Sequence, residues 1–204
     1  MYVTVLGAGT MGHGIAQVSA MAGHDVTLRD IESDIVADGI DAICSNLDGG
    51  VDRGKVTEAE RDATLANITG ETDLAAAVGD ADLVAEAVPE DIDLKTTVLA
   101  DAEEVAGEDA ILATNTSSLS VTELASGLER PGSLIGLHFF NPVHIMSLVE
   151  VVVGERTDQS ARTFAVEFVE GIDKTPVVVR DVPGFASSRL GVALGVEAIR
   201  MVEE

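Results

Sequence analysis

Two polar side chains stand inside apolar runs that would ordinarily exclude them. His138 sits in Leu134–Phe140 and Glu150 in Leu148–Val153, and a short turn carrying Asn141 and Pro142 joins the two runs. A carboxylate buried in LVEVVV costs several kcal/mol unless something neutralises it or hydrogen-bonds to it. If the runs lie side by side, His138 is the nearest partner. An imidazole oriented by a buried carboxylate is a standard general base. The competing reading is a core histidine and a strand-edge glutamate facing water. These two residues alone do not separate the readings.

A second constellation opens the chain. Gly7-Ala8-Gly9-Thr10-Met11-Gly12 spells GxGxxG. The pattern is weak in isolation. Here it follows the apolar run Tyr2–Leu6, opens a helix expected over Met11–Ala22, and precedes a second strand at Val26–Leu28. That is the β-turn-α-β setting in which the pattern becomes specific. Gly7 permits the tight turn, Gly9 lets the backbone approach a pyrophosphate, and Gly12 lets the helix pack close to the strand. Thr10 and Met11 count with the glycines as cofactor contacts, because a helix N-terminus supplies free N–H groups and a positive dipole end. Asp30 ends the second strand, 18 residues past Gly12. A carboxylate there accepts from both ribose hydroxyls and repels a 2′-phosphate, which favours NAD over NADP. Arg29 is a mild counter-signal, but it precedes the acid rather than replacing it.

Two further groups lie at strand ends, where open α/β sheets bind ligands. Glu86 and Glu90 flank the end of LVAEAVPE, and Lys95 follows one helical turn past Glu90 and Asp91. They read equally as cofactor contacts or as a surface ion pair. Asn115-Thr116-Ser117-Ser118 follows ILAT. These small polar residues read as ligand contacts or as a helix cap. No metal-ligand set is expected.

The elements that must position these residues follow from hydrophobic spacing. Ile35, Ile40, Ile43 and Leu47 mark a helix that Gly49, Gly50 and Gly54 should break, and Thr57 with Glu60 forms a capping box opening a second one. This helical pair reads as an insertion projecting from the sheet. Strands are then expected at Leu83–Val88, Ala110–Ala113 and Pro176–Val179, with helices at Asp91–Val105 and Asp158–Glu170. Strands separated by helices imply a mostly parallel sheet covered on both faces. After Pro183-Gly184 comes an expected helix, Phe185–Glu204, apolar around most of its circumference and so in need of partners.

Composition narrows the function class. Thirty-six acidic residues against twelve basic give a net charge of −24. The acids are scattered rather than gathered in a tail. Such a surface suits high salt, where self-repulsion is screened, and points to a halophilic source. It argues against nucleic acid and anionic membranes as partners. No apolar stretch is long enough to span a bilayer, and the N-terminus lacks the features of a signal peptide. The lone Cys44 suits a reducing cytoplasm.

Six blocks, GAGTMGHGIAQV, LVAEAVPED, ATNTSSLS, GLHFFNPV, LVEVV and VPGFASSRL, occur in this order. Together they make the chain resemble the NAD-binding half of the L-3-hydroxyacyl-CoA dehydrogenases, including the 3-hydroxybutyryl-CoA dehydrogenases. The resemblance implies an α/β fold, a Rossmann-type doubly wound mostly parallel sheet with a helical-pair insertion. Residues 1–182 would form the NAD-binding domain, and 183–204 the linker and first helix of a truncated all-helical C-terminal domain. It implies that His138 is the catalytic base, that Glu150 orients it, and that Ser117 contacts the substrate oxygen. Glu90 and Lys95 would contact NAD, Asn115 and Asn141 would border it, and Arg53 and Lys55 would lie against CoA.

The expected reaction is NAD-dependent oxidation of an L-3-hydroxyacyl-CoA to the 3-oxo thioester, as in fatty acid β-oxidation. Two departures stand out. The family usually carries Asn in PGFxxNR, where Ser188 stands here, so a substrate contact is shortened. Family members also continue into a helical domain that closes over the acyl chain and forms the dimer. The expected partner is therefore a second copy or another chain at the C-terminal helix. Two other readings compete: an NAD-binding module that does not turn over alone, and a gulonate-type hydroxyacid dehydrogenase.

Overall fold

Eight strands make one sheet in the order β3-β2-β1-β4-β5-β6-β7-β8 in a computed structural model that describes residues 1–203. The strands are β1 Tyr2–Leu6, β2 Asp25–Arg29, β3 Ile68–Glu71, β4 Leu83–Glu86, β5 Ile111–Thr114, β6 Leu134–Phe139, β7 Leu148–Val153 and β8 Thr175–Arg180. Every neighbouring pair is parallel except β6–β7, which is antiparallel. The helices are α1 Thr10–Met21, α2 Ser33–Asp52, α3 Glu58–Ala66, α4 Leu74–Val78, α5 Ile92–Val105, α6 Val121–Ala125, α7 Gln159–Gly171 and α8 Ser187–Glu203.

Side chains alternate between two cores, one per face. Val3 and Val5 of β1, Leu83 and Ala85 of β4, and Ile135 and Leu137 of β6 pack with α1 and α7. Leu6, Val84 and Leu134, one residue out of phase, pack with Leu99 of α5 and Leu124 of α6. This period-2 division of continuous apolar runs is what a parallel sheet covered on both faces requires. The fold is the mostly parallel α/β sheet that the strand–helix alternation implies.

Three local readings change. The strand β3 and the helix α4 were not expected. β3 is only ITGE, and it earns its place as the edge partner of β2 in register Val26↔Ile68. The pair α2–α3 is thereby the crossover between β2 and β3, and it lies against α1 and β3 rather than standing clear of them. Gly49 and Gly50 do not break α2. A Cβ on Gly50 would approach Val56 Cγ2 to 2.9 Å, so glycine there makes room for the returning chain. The helix stops at Arg53, and the left-handed turn comes at Gly54. The capping box is present: Thr57 Oγ1 accepts from the Glu60 N–H, and Glu60 Oε2 accepts from the Thr57 N–H.

The last helix differs from the rest. None of its described residues is buried, and Leu190, Leu194, Ile199 and Met201 are each at least 60% exposed. The final predicted helical residue, Glu204, lies outside the described residues. No described helix is long and apolar enough to cross a membrane.

Candidate active site

The site sits where the sheet order reverses. From β1 the chain passes to β2 on one side and later to β4 on the other, and β1 and β4 are neighbours. The crevice beyond the carboxyl ends of such strands is the ligand position of doubly wound sheets. A cleft of about 780 Å³ opens there. Nine of the singled-out residues line it: Gly7, Gly9, Thr10, Met11, Asp30, Glu90, Asn115, Ser117 and His138.

Each glycine of the turn meets a different physical demand. Gly7 has φ +100°, and a Cβ there would press on the Ala87 carbonyl oxygen at 2.8 Å. A Cβ on Gly12 would collide with the Gly7 carbonyl, because α1 crosses tightly over the turn. Gly9 has nothing within 4 Å of where a Cβ would stand, and that open space belongs to the cleft. Asp30 closes the turn from β2: Oδ2 accepts from the Ala8 N–H at 2.7 Å and Oδ1 from the Ile31 N–H at 2.7 Å. The carboxylate is thus held at the cleft wall by backbone donors. An open cradle over Gly9, a helix N-terminus and a fixed carboxylate fit a dinucleotide with free ribose hydroxyls.

At the other end of the cleft, antiparallel pairing of β6 and β7 sets His138 directly opposite Glu150. His138 Nδ1 lies 2.8 Å from Glu150 Oε2. Both side chains are buried, at 7% and 1% exposure. With Nδ1 carrying the proton to the carboxylate, a neutral imidazole leaves Nε2 as a free acceptor. The rings of Phe140 and Phe185 flank the imidazole at 4.5 and 5.7 Å between centroids.

Glu150 is satisfied from behind as well. Its Oε1 accepts from the Ala186 N–H at 3.0 Å and the Ser187 N–H at 2.8 Å, and Oε2 accepts from Ser187 Oγ at 2.9 Å. Burial is the largest single influence on this carboxyl and opposes its charged form. The hydrogen bonds from His138, Ser187 and Ala186 together outweigh it and hold the carboxyl below its ordinary value. Ser187 was not among the expected site residues. Its role comes from the backbone at the start of α8, and the one signal in the sequence is a serine following Pro-Gly-Phe at a helix start. Ser188, the residue singled out instead, is half-buried, and among the described residues its hydroxyl makes no hydrogen bond to the dyad.

Lys95 departs from the surface-ion-pair reading. It is fully buried, so it forms no surface ion pair, and it does not line the cleft. Its ammonium donates to Glu86 Oε1 at 2.7 Å, to the Val88 carbonyl at 3.1 Å and to the Asn115 carbonyl at 3.0 Å. All three ammonium protons have partners within the protein. Glu90 does line the cleft. Its Oε1 accepts from Thr116 Oγ1 at 2.7 Å, from the Ser117 N–H at 3.0 Å and from Ser118 Oγ at 3.1 Å. Desolvation opposes its charge, but these donors and Lys95 hold its carboxyl below the ordinary value. The NTSS segment is therefore a turn tied to Glu90. Asn115 Oδ1 also accepts from the Phe139 N–H at 3.0 Å, linking this turn to the strand of His138.

Asn141 is exposed in the loop after β6, and Arg53 and Lys55 are exposed in the turn after α2, all three outside the cleft lining. Among the described residues no cluster of three His, Cys, Asp or Glu side chains is placed to hold a metal ion.

Residues 2–182 match the family described as 3-hydroxyacyl-CoA dehydrogenase, NAD binding domain. The chain is 46% identical over 186 residues to a fatty acid oxidation complex subunit alpha of Idiomarina loihiensis, an alignment that covers 91% of this chain and 26% of that one. Among solved structures, 3-hydroxybutyryl-CoA dehydrogenase from Escherichia coli K12 superposes with a TM-score of 0.96 at 39% identity, covering all of this chain and 43% of that one. M. tuberculosis FadB2 superposes with a TM-score of 0.94 at 42% identity, covering 98% of this chain and 71% of that one. The chain thus spans about a quarter of the length of the curated relatives it matches.

Proposed function

This chain belongs to the family of NAD-binding domains of 3-hydroxyacyl-CoA dehydrogenases, and we propose that it oxidises the C3 hydroxyl of an L-3-hydroxyacyl-CoA thioester. The observation that carries the proposal is the buried His138–Glu150 pair at 2.8 Å, in the same cleft as the glycine turn and Asp30. Gly7, Gly9, Thr10, Met11 and Asp30 would hold the adenosine and pyrophosphate parts of NAD, with Gly12 keeping α1 close beneath the turn. Asn115 and Asn141 would border the nicotinamide end. When bound, NAD supplies the acceptor for the hydride that leaves C3.

The protein's own part is to move one proton and to hold charge. His138 Nε2 accepts the proton of the C3 hydroxyl while Nδ1–H stays on Glu150. Glu150 fixes the tautomer and stabilises the imidazolium, which is worth ~10²–10⁴-fold for a positioned base. Ser117 faces the substrate oxygen from the Glu90-tied turn, and Ser188 stands at the usual position of a further amide donor. Arg53 and Lys55 offer positive charge to the CoA phosphates. Residues 1–182 are read as the NAD-binding domain and 183–204 as the start of the helical domain, and the exposed side chains of α8 would pack on further helices or a partner chain. A role in fatty acid β-oxidation in a halophile's cytoplasm follows from this substrate class and from the net charge of −24.

The test is NADH formation at 340 nm with L-3-hydroxybutyryl-CoA in molar KCl, alongside L-gulonate. The proposal expects turnover of the CoA ester alone. Turnover of gulonate alone would assign the other substrate class. Binding of NAD without turnover of either would make this chain a cofactor-binding module.

A further inference from the structure

His138 lies one residue from the end of β6, and its place opposite Glu150 depends on how the chain returns to β7. A slip of one residue would turn every side chain of a strand to the other face. The return is not a tight hairpin. It runs from Phe140 to Ser147, at the same end of the parallel strands as the cleft. Its first residue, Phe140, packs its ring on the His138 imidazole at 4.5 Å between centroids. Farther along, Ile145 and Met146 are exposed, and their N–H groups both donate to the Pro142 carbonyl at 3.0 Å. A loop this exposed could leave its remaining carbonyls to water.

Two fastenings hold it instead. On one side Val143 is buried against α1. A Cβ on Gly14 would come to 2.7 Å from Val143 Cβ, so the glycine leaves a notch in the helix where the loop seats. On the other side Lys174 Nζ donates to the Val143 carbonyl and to the Met146 carbonyl, both at 2.7 Å. Lys174 comes from the turn between α7 and β8. Asp173 there is left-handed, at φ +58°, and the Asp173 and Lys174 N–H groups close the helix end on the Glu170 and Val169 carbonyls at 3.1 Å each. Holding the ammonium here costs solvation. Burial pushes it below its ordinary value, and the exposed Asp173 pulls the other way. Among the described residues it makes no ion pair, so its charge is spent on backbone carbonyls.

We propose that Lys174 is a positioning residue for the His138–Glu150 pair. Together with Val143 seated on Gly14, it fixes the β6–β7 connection between α1 and the α7–β8 turn. It thereby keeps Phe140 against the imidazole and the imidazole on its carboxylate. The consequence for turnover rests on the dehydrogenase reading, but the fastening itself does not. Because α1 is the helix that opens at Gly9, the same connection ties the proton-accepting pair to the element that carries the glycine turn. A displacement of about 1 Å at a reacting group costs ~10²-fold in rate, so drift of this loop matters even while the strands stay paired.

Lys174→Met tests this, because it keeps most of the stem and removes the donors. The full chain is read in molar KCl for thermal midpoint, NAD dissociation constant, NADH formation from L-3-hydroxybutyryl-CoA and amide hydrogen exchange. The proton resonance of His138 Nδ1–H, identified by its loss in His138→Gln, is followed as well. The expected variant is folded, with NAD affinity changed less than about twofold and a rate at least ~10-fold lower. Its Nδ1–H resonance should shift or be lost to exchange. Amide exchange should quicken at Ile145 and Met146 while Leu137 and Val151 stay protected. Val143→Ala loosens the other fastening and guards against a lysine variant that fails to fold. It should quicken the same two amides and lower the rate a few-fold. A merely structural lysine would lower the midpoint and leave the rate and the Nδ1–H resonance of the folded protein as in wild type. That result, in either folded variant, would overturn the proposal. If wild type formed no NADH, the dehydrogenase reading would fail instead, and the Nδ1–H resonance and the two loop amides would still decide the role of Lys174.

Discussion

Glu150 shows how much one buried carboxylate must be given to remain charged. It receives His138 Nδ1–H on one side and three donors from the start of α8 on the other. Its carboxyl is held below the ordinary value of 4.5. A group with a lower pKa folded than unfolded adds stability that is fully present above the unfolded value. That stability is lost as pH falls through the folded one. Glu150→Gln should therefore narrow the acid-induced loss of stability below about pH 4.5, measured by denaturant titration at neutral and acid pH against wild type. Equal acid sensitivity in both proteins would contradict the account of this residue. The histidine and glutamate were legible from sequence because each interrupts an apolar run. Ser187 was not, because its value lies in its backbone N–H, beside that of Ala186, and in a hydroxyl whose direction only the turn at Gly184 and Phe185 determines. Phe185 itself is held at φ +48°, an uncommon backbone region for a bulky residue, in the segment that delivers these donors.

At the scale of elements, the β1–α1 turn carries a sharp contrast between two glycines of one motif. Gly9→Ala places a methyl in open cleft at an ordinary backbone conformation, with φ −68°. Gly12→Ala drives one into the Gly7 carbonyl. The first variant should keep wild-type thermal stability and lose NAD affinity by ~10-fold or more, since the methyl occupies the pyrophosphate's place. The second should be destabilised by about 2 kcal/mol or more through backbone displacement. Calorimetry and NAD titration of the two proteins separate these outcomes, and a destabilised Gly9→Ala with intact binding would contradict the roles assigned.

Element legibility divides along physical lines. Long periodic stretches such as α5 and the β6–β7 pair were readable within a residue or two, and so was the Thr57 capping box. β3 and α4 were not, because four or five residues carry too little periodicity to announce themselves and exist by virtue of their neighbours. The surface-ion-pair reading of Lys95 fails for the opposite reason. A lysine at a helix start is normally solvated, and only the convergence of Glu86, Val88 and Asn115 around it reverses that default.

At the scale of the molecule, the charge of −24 is spread over the surface, while the acids lining the cleft are Asp30 and Glu90, beside Arg29 and His138. Self-repulsion of such a surface weakens as salt shortens the Debye length, to about 3 Å at 1 M. The thermal midpoint should rise steadily between about 0.1 and 2 M KCl. A midpoint that falls over this range would remove the case for a halophilic surface. The apolar side chains of α8, exposed along its length, are the other property visible only at this scale. They could be anticipated from the sequence as a helix in need of partners, but what covers them could not, since no described residue packs over them.

In the proposed reaction His138, held by Glu150, takes the proton of a hydroxyl whose carbon is oxidised by NAD bound over Gly9. The most direct measurement is the rate of NADH formation from L-3-hydroxybutyryl-CoA by wild type and His138→Gln, with the NAD dissociation constant of each determined in the same molar KCl. The rate should be lower by ~10²–10⁴-fold in the variant, with NAD affinity changed less than about twofold. A variant that forms NADH as fast as wild type would contradict it.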